Sequence, residues 1–594
     1  MGRNKSGNKS GNKNKGHVKS ASVEKVADKG QAKAAPVEKI SDKPSGKPWP
    51  YAMGYDNCPE VLQPTSLKVK GAIPSWLEGT LYRSGPGNYD LKSESGKEIK
   101  IQHWFDGLAQ IHRFEIQKGG RVSYRSRNTS NDLRERYKKA EMLTGISFCQ
   151  RDPCKTIFQK FFTTFKMAVF GGSPLSGTDT NVAVIPTINY PGFKADPDAK
   201  LKNGQNPNVR NMVMNTDGNV MQEIDPVTLE PIRLFTYGDI DDALKSSNMA
   251  SAHPCVDPET NEHFNVLLSF GPTAVYKVVR TRQSSKGAHH EPDLDILAEI
   301  QSPRPTYMHS FSLTKRYVVI NHWQCDFAAW GMSVLWTGNA WESFKEHDPK
   351  SKCSFYVVDR HLGRHVATYE CDPYYAFHTI NAFDDGNDVI VDIAAYNDHT
   401  VIGDYYIDNL RNETSGKPPQ QGFLRRYRLN NIPKYAAASS LTKGQSPKPA
   451  KAEIVFELDR SINFELPSLN PSYYLRNYRY AYGVNRSGQN RTLIYDRIVK
   501  VDLDKVKKGD SKGSAKFWIE DQCTPSEPVF VPSPDAKAED DGVLLSVVLD
   551  GRRRTGFVLV LNAQTMEEIA RADMPTGMMA PHNFHGAFVS SLKV

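Results

Sequence analysis

One arrangement of apolar and polar positions recurs along the chain: an apolar run, an Asp or Asn, a short polar turn, and a second apolar run. It occurs in NVMQEIDPVTLEPIRLF around Asp225, in SFYVVDRHLGRHVATYE around Asp359 and in GFVLVLNAQTMEEIARA around Asn562. In each, the residue that opens the return run (Ile232, Val366 or Ile569) stands seven positions after the Asx residue. The pattern predicts β-hairpins in which the Asx side chain starts the turn. Short runs of Val, Ile and Leu predict further strands at Tyr317–Asn321, Val389–Ala394 and Val543–Leu549. Helical periodicity is scarce. Its best case is KTIFQKFFTTFKMAVF (155–170), where Ile157, Phe158, Phe161, Phe162, Phe165 and Val169 share one face and Lys155, Lys160 and Lys166 lie off it.

Globular patterning is continuous after Pro48, so 48–594 is read as one all-β domain, with KYAAASSLTKGQSPKPAKAE (434–453) as a long surface loop. So long a series of hairpins must dispose of its sheet edges, and radial closure as a propeller does so. The repeats are too irregular to give a blade count.

Charge changes the picture only at one end. The formal net charge is +9. Residues 1–47 carry eleven Lys and one Arg against Glu24, Asp28, Glu38 and Asp42, a net of +8 that leaves the rest near +1. A nucleic-acid-binding fold carries its basic stripe on folded surface, so no nucleic-acid partner is expected. The opening MGRNKSGNKSGNKNKG is low in complexity and predicts a disordered Lys-rich tail over 1–47. It fits M-G-x-x-x-S, with Gly2 and Ser6 placed for myristoylation, although a plain solvated tail accounts for it as well. With no secretory signal or spanning run, a cytoplasmic protein is expected, and N-x-S/T sequences such as Asn412-Glu413-Thr414 are expected to go unused. Eight cysteines without a C-x-x-C read as reduced thiols. No G-x-G-x-x-G unit, P-loop or G-x-S-x-G elbow is found, so no nucleotide cofactor is expected.

Of sixteen histidines, four stand alone among small or aromatic residues: His253 in MASAHPC, His309 in TYMHSFSLT, His378 in YYAFHTINAF and His585 in HNFHGAF. Taken singly, each reads as a core histidine bonded to backbone. Taken together, four such sites at separate strand starts suit strands that converge on an axis and deliver one nitrogen each to a metal.

The surrounding words are more specific. LEGTLYRSGPG (77–87), HWFDGLAQIHRFEI (103–116), YMHSFSLT (307–314), FHTINAFDDGNDVIVDI (377–393), SEPVFVPSPDAKAEDDGVLLSVVLD (526–550) and FHGAF (584–588) together resemble the carotenoid cleavage oxygenase family, in family order from about residue 58 onward. The resemblance implies a seven-bladed β-propeller with a helical dome over an axial metal site. It implies Fe(II) held by His253, His309, His378 and His585, with outer carboxylates at Glu465, Glu527 and Asp217, the last standing where relatives carry Glu. His582 lies outside the motif and stays unassigned. The implied activity is dioxygen-dependent cleavage of a conjugated double bond, with a carotenoid and O2 as partners.

A water-insoluble substrate implies contact with a membrane surface. The 155–170 segment matches the stretch that in relatives forms an apolar membrane-facing patch, but packing in the dome explains it equally. The aromatic stretches WGMSVLW (330–336) and PYYAFH (373–378) suit a tunnel lining or core packing. Within the family the wording is closer to animal carotene oxygenases and the retinoid isomerohydrolase than to plant cleavers, and the narrower expectation is the fungal torulene-cleaving branch. Retinal-forming β-carotene cleavage, stilbene cleavage and, in another class, a catalytically silent binding scaffold stay open.

Overall fold

The structure, a computed structural model, describes residues 49–151, 176–192, 204–285, 292–412, 420–441, 448–488, 492 and 494–592. The Lys-rich tail with Gly2, and the amphipathic segment 155–170 with Ile157, Phe158, Phe161, Phe162 and Phe165, lie outside the described residues.

Seven sheets of four to six strands follow one another in chain order and form a seven-bladed β-propeller, with a separate two-stranded ribbon, Asp90–Lys92 with Glu98–Lys100, at its edge. The ring is latched twice. The C-terminal strand His585–Ser590 completes the first sheet by antiparallel pairing with Gly79–Asn88, with Ser84 opposite His585 and Leu81 opposite Phe588. The early strand Lys68–Gly71 in turn joins Glu568–Asp573 of the last sheet. The ring therefore has no open seam at either end of the chain.

The recurring Asx pattern is a hairpin turn. Asp225 Oδ1 accepts from the N–H groups of Val227 and Thr228, Asp359 Oδ1 from His361 and Leu362, and Asn562 Oδ1 from Gln564 and Thr565. Asp257 and Asp550 build the same turn, which sequence reading did not single out. Four positions on, the backbone is left-handed at Leu229, Asn261, Gly363, Arg554 and Met566, with φ between 49° and 67°. At four of these the N–H returns to the Asx carbonyl at 2.8–2.9 Å, the exception being Arg554. Two side-chain bonds and that return bond together offset the roughly 1 kcal/mol that a non-glycine residue meets there.

The three short runs read as strands are strands: Tyr317–His322, Asp388–Tyr396 and Gly542–Asp550. The 434–453 stretch is not simply a loop. Ile432–Leu441 is a helix and Ala450–Lys451 and Glu453–Glu457 are strands. The Ala-rich composition favours helix, Ile432 is fully buried, and Tyr435 meets the edge of Tyr369 with ring centroids 5.5 Å apart.

Hydrophobic packing fills the space between sheets, and the largest cluster also takes in the irregular segments over one end of the axis. Those segments include the short helices Trp104–Asp106, Val334–Thr337, His399–Tyr405 and Ile407–Leu410. All seven described cysteines are free and buried.

Candidate metal centre

Strands that converge on the propeller axis carry four histidines from four sheets to one point. His253 lies between Met249–Ala250 and Cys255–Val256, His309 precedes Ser312–Leu313, His378 lies within Tyr375–Asp385, and His585 opens the closing strand. One ring nitrogen from each falls within 4.8 Å of all the others. The Nε2 atoms of His253 and His309 are 3.1 Å apart, and those of His378 and His585 are 3.2 Å apart. The rings meet edge to face, with centroids 4.4 Å apart for His253 and His585 and 5.3 Å apart for His309 and His378.

Carboxylates aim three of the four rings. His309 Nδ1 donates to Asp217 Oδ1 at 2.8 Å, and the Tyr307 hydroxyl donates to Asp217 Oδ2 at 3.1 Å. His378 Nδ1 donates to Glu465 Oε2 at 2.5 Å, while Glu465 Oε1 is buried without a partner among the described residues. His585 Nδ1 donates to Glu527 Oε1 at 2.8 Å. Glu527 Oε2 in turn accepts from Arg83 at 2.8 Å and from the Gly586 N–H at 2.9 Å. No described residue engages His253 Nδ1, although its backbone N–H donates to the His309 carbonyl at 3.3 Å.

Two features test whether a metal fits. A carboxylate can only accept, so each aimed ring carries its proton on Nδ1 and, when neutral, presents a lone pair at Nε2. His378 and His585 therefore face each other lone pair to lone pair across 3.2 Å. That contact is repulsive unless a cation lies among the nitrogens, and ligands at about 2.1 Å from one ion are spaced in this way. The charges point the same way. Asp217, Glu465 and Glu527 against Arg83 leave −2, with side-chain exposures of 17%, 2%, 12% and 1%. A buried −2 is costly alone and is neutralised by one divalent ion.

Burial holds His253 and His585 well below the ordinary histidine value, helped by the neighbouring imidazoles, so both rings are neutral and fit to ligate. Burial also pushes the Glu527 carboxyl up against the opposing pull of Arg83. Four neutral imidazoles suit a first-row divalent metal.

A cavity of about 670 Å³ opens onto His309, His378 and His585, and its wall is mainly apolar, with Trp104, Phe105, Phe148, Phe377, Tyr405 and Phe584 among its aromatic members and Asp217 and Glu465 also on it. Of the stretches read as a tunnel lining, Phe377 and residues 331, 332, 334 and 335 do line it. Tyr374 and Tyr375 pack in the core instead, and Trp330 and Trp336 are exposed at 54% and 36%.

Arg83 and Tyr307 belong to the site and were missed by sequence reading. The available signals were an arginine inside the strand run LYRSGPG and a tyrosine two positions before His309. His582 stays apart from the cluster, tilted against Tyr55 with ring centroids 4.8 Å apart. A second group of donors, Glu520, Cys523 and Asp550, has its carboxylates taken up by Arg552, Arg553 and Arg571, and reads as an ion-pair network.

Residues 55–590 match the family model described as RPE65, retinal pigment epithelial membrane protein. The chain belongs to this RPE65/carotenoid oxygenase family. Among similar members, the torulene dioxygenase of Gibberella fujikuroi is 34% identical over 91% of this chain and 93% of its own length. The carotenoid dioxygenase of Neurospora crassa is 33% identical over 91% of each. Cobalt-substituted Synechocystis apocarotenoid oxygenase superposes with a TM-score of 0.67 at 20% identity, covering 92% of this chain and 99% of that one, a likeness of fold. The family's propeller is thus the architecture found here.

Proposed function

We propose that this chain is an iron-dependent dioxygenase that cleaves one conjugated double bond of a carotenoid, torulene, into two carbonyl products. The observation that carries this reading is the convergence of four imidazole nitrogens within 4.8 Å of one another beside an aromatic cavity of about 670 Å³. The relatives named for torulene and carotenoid oxidation support the substrate class and the reaction. The overall change needs no reductant, because one double bond and one O2 become two carbonyl groups.

His253, His309, His378 and His585 would hold the ion. When bound, Fe(II) supplies the binding and activation of dioxygen. The chain's own residues supply placement. Aromatic faces of Phe105, Phe148, Phe377 and Phe584 grip a flat polyene by dispersion and keep water away. Asp217, Glu465 and Glu527 hold the Nδ1 protons and so the aim of three rings.

The substrate's insolubility puts a membrane surface among the partners. Around the cavity lining, Ile146, Trp330 and Met332 are exposed at 56%, 54% and 46%, an apolar rim suited to shallow contact with lipid. Among the described residues no helix is long and apolar enough to cross a membrane.

The test is anaerobic reconstitution with Fe(II), then addition of 18O2 and torulene in detergent. Bleaching of the long-wavelength absorption, with one label in each carbonyl product, is the expected result. Iron uptake without bleaching of torulene but with cleavage of β-carotene would move the substrate assignment. A protein that takes up no iron and bleaches no carotenoid would be a silent scaffold.

A further inference from the structure

Two cavities, not one, meet the histidine cluster, and the chain runs from one into the other. Residues just before the ligand positions, Tyr307, Phe377 and Phe584, line the aromatic cavity. Residues just after them line a second cavity of about 180 Å³: Pro254 and Cys255 after His253, Ser310 to Leu313 after His309, and Thr379 to Ala382 after His378. The strands pass through the histidine layer, so the two cavities lie on opposite sides of it.

The two sides differ in chemistry. His253 borders only the second cavity and His309 only the first. His253 is the half-buried member of the four and the one whose Nδ1 meets no carboxylate, so its ring is the least fixed. The polar residues Ser310, Ser312, Thr379, Asn381 and Glu527 line this second cavity, their polar groups engaged in hydrogen bonds such as Ser310 Oγ to the Phe377 carbonyl, and its wall residues Ile185, Pro254, Pro467 and Tyr474 are half-buried. A hydrated divalent cation must shed water to move through an aromatic wall, whereas polar groups can replace its hydration in steps.

The geometry points to the second, axial cavity as the port through which the metal ion enters and leaves, with His253 as the ligand that meets it first. This rests on the metal reading above. It separates the traffic of the ion from that of the apolar substrate, so a protein with its aromatic cavity filled can still load or lose iron.

The experiment follows metal alone. Metal-free protein is mixed anaerobically with Fe(II), and release from loaded protein is followed with an excess of a bidentate Fe(II) chelator. Ile185→Trp narrows the axial cavity and should slow both uptake and release at least tenfold at unchanged final stoichiometry. Tyr474→Ala widens it and should speed both. Filling the aromatic cavity with a saturated long-chain alcohol should leave both rates within twofold. Rates unchanged in both variants but slowed by the alcohol would overturn the proposal and put the port on the substrate side. A parent protein that binds no Fe(II) would instead sink the metal reading on which the proposal stands.

Discussion

Glu465→Gln isolates the charge of one outer carboxylate while keeping an acceptor for the His378 Nδ1–H. Glu465 suits this best of the three because it is 2% exposed, bonds His378 at 2.5 Å, and pairs with no Lys or Arg among the described residues, whereas Glu527 faces Arg83. The substitution takes the buried charge around the nitrogens from −2 to −1. The carboxylate lies one imidazole ring and one hydrogen bond from the ion's position, about 7 Å. At an effective dielectric of ~20, a unit charge there attracts a divalent ion by about 5 kcal/mol. Reorganisation and water recover part of this, and outer partners of ligating histidines are worth about 10–100-fold in affinity, or roughly 1.4–2.7 kcal/mol. Fe(II) affinity measured anaerobically against a competing chelator should fall within that range. Glu520→Gln, in the arginine-paired group near Cys523, should change it less than twofold. An unchanged affinity for Glu465→Gln in a folded protein would refute the role given to the outer carboxylate. Equal losses in both variants would mean that overall charge, not position, governs binding.

Three further outcomes follow from the same reasoning. Arg83→Met leaves Glu527 buried without its cation and should cost about 3–5 kcal/mol in denaturant unfolding of metal-free protein; saturating Fe(II) should recover more stability in this variant than in the parent, and a loss below 1 kcal/mol would contradict the pairing. Gly363→Ala, at φ 61° in the Asp359 turn with the Leu297 carbonyl in ordinary contact 3.5 Å from the added Cβ, should cost about 1 kcal/mol by the same measurement and leave iron binding unchanged. Acid should destabilise the fold through histidines outside the cluster: burial holds His103, His263 and His322 at about 4, and His112 and His582 at about 3. Because their folded values are depressed, the unfolded chain binds protons first as pH falls through ~6.5, and each group removes up to about 1.4 kcal/mol per pH unit until its folded value is reached. Unfolding midpoints that do not fall between pH 7 and 5.5 would show these rings to be solvated.

What was legible in the sequence divides by range. The Asx hairpins are local, so Asp225, Asp359 and Asn562 disclosed them through spacing alone, and Asp257 and Asp550, whose return runs open at Phe264 and Phe557 with the same seven-residue spacing, were equally legible but passed over. The blade count was not available from periodicity, since each blade draws on strands of unequal length and two blades borrow a strand from the far end of the chain. The histidines were found through the words around them. Arg83 needed its three-dimensional neighbour: within LYRSGPG nothing marks it until Glu527, 444 positions away, is seen beside it. The division into two cavities was invisible, because it depends on which side of each histidine the chain continues.

The closing strand joins these levels. A histidine nine residues before the end of the chain would ordinarily sit in a fraying terminus. Here Gly586 follows it, and any side chain at that position would collide with the Tyr82 carbonyl and the Arg83 side chain on the neighbouring strand. That close approach lets the Gly586 N–H reach the carboxylate that also holds His585 and Arg83. The same few atoms therefore shut the ring and aim one imidazole of the cluster. Opening the seam between His585–Ser590 and Gly79–Asn88 must remove one imidazole from the cluster, and an ion bound by all four must resist that opening. Metal affinity and ring closure are thus one linked equilibrium, and a bound ion stabilises the closed propeller in proportion to how strongly it prefers four nitrogens to three.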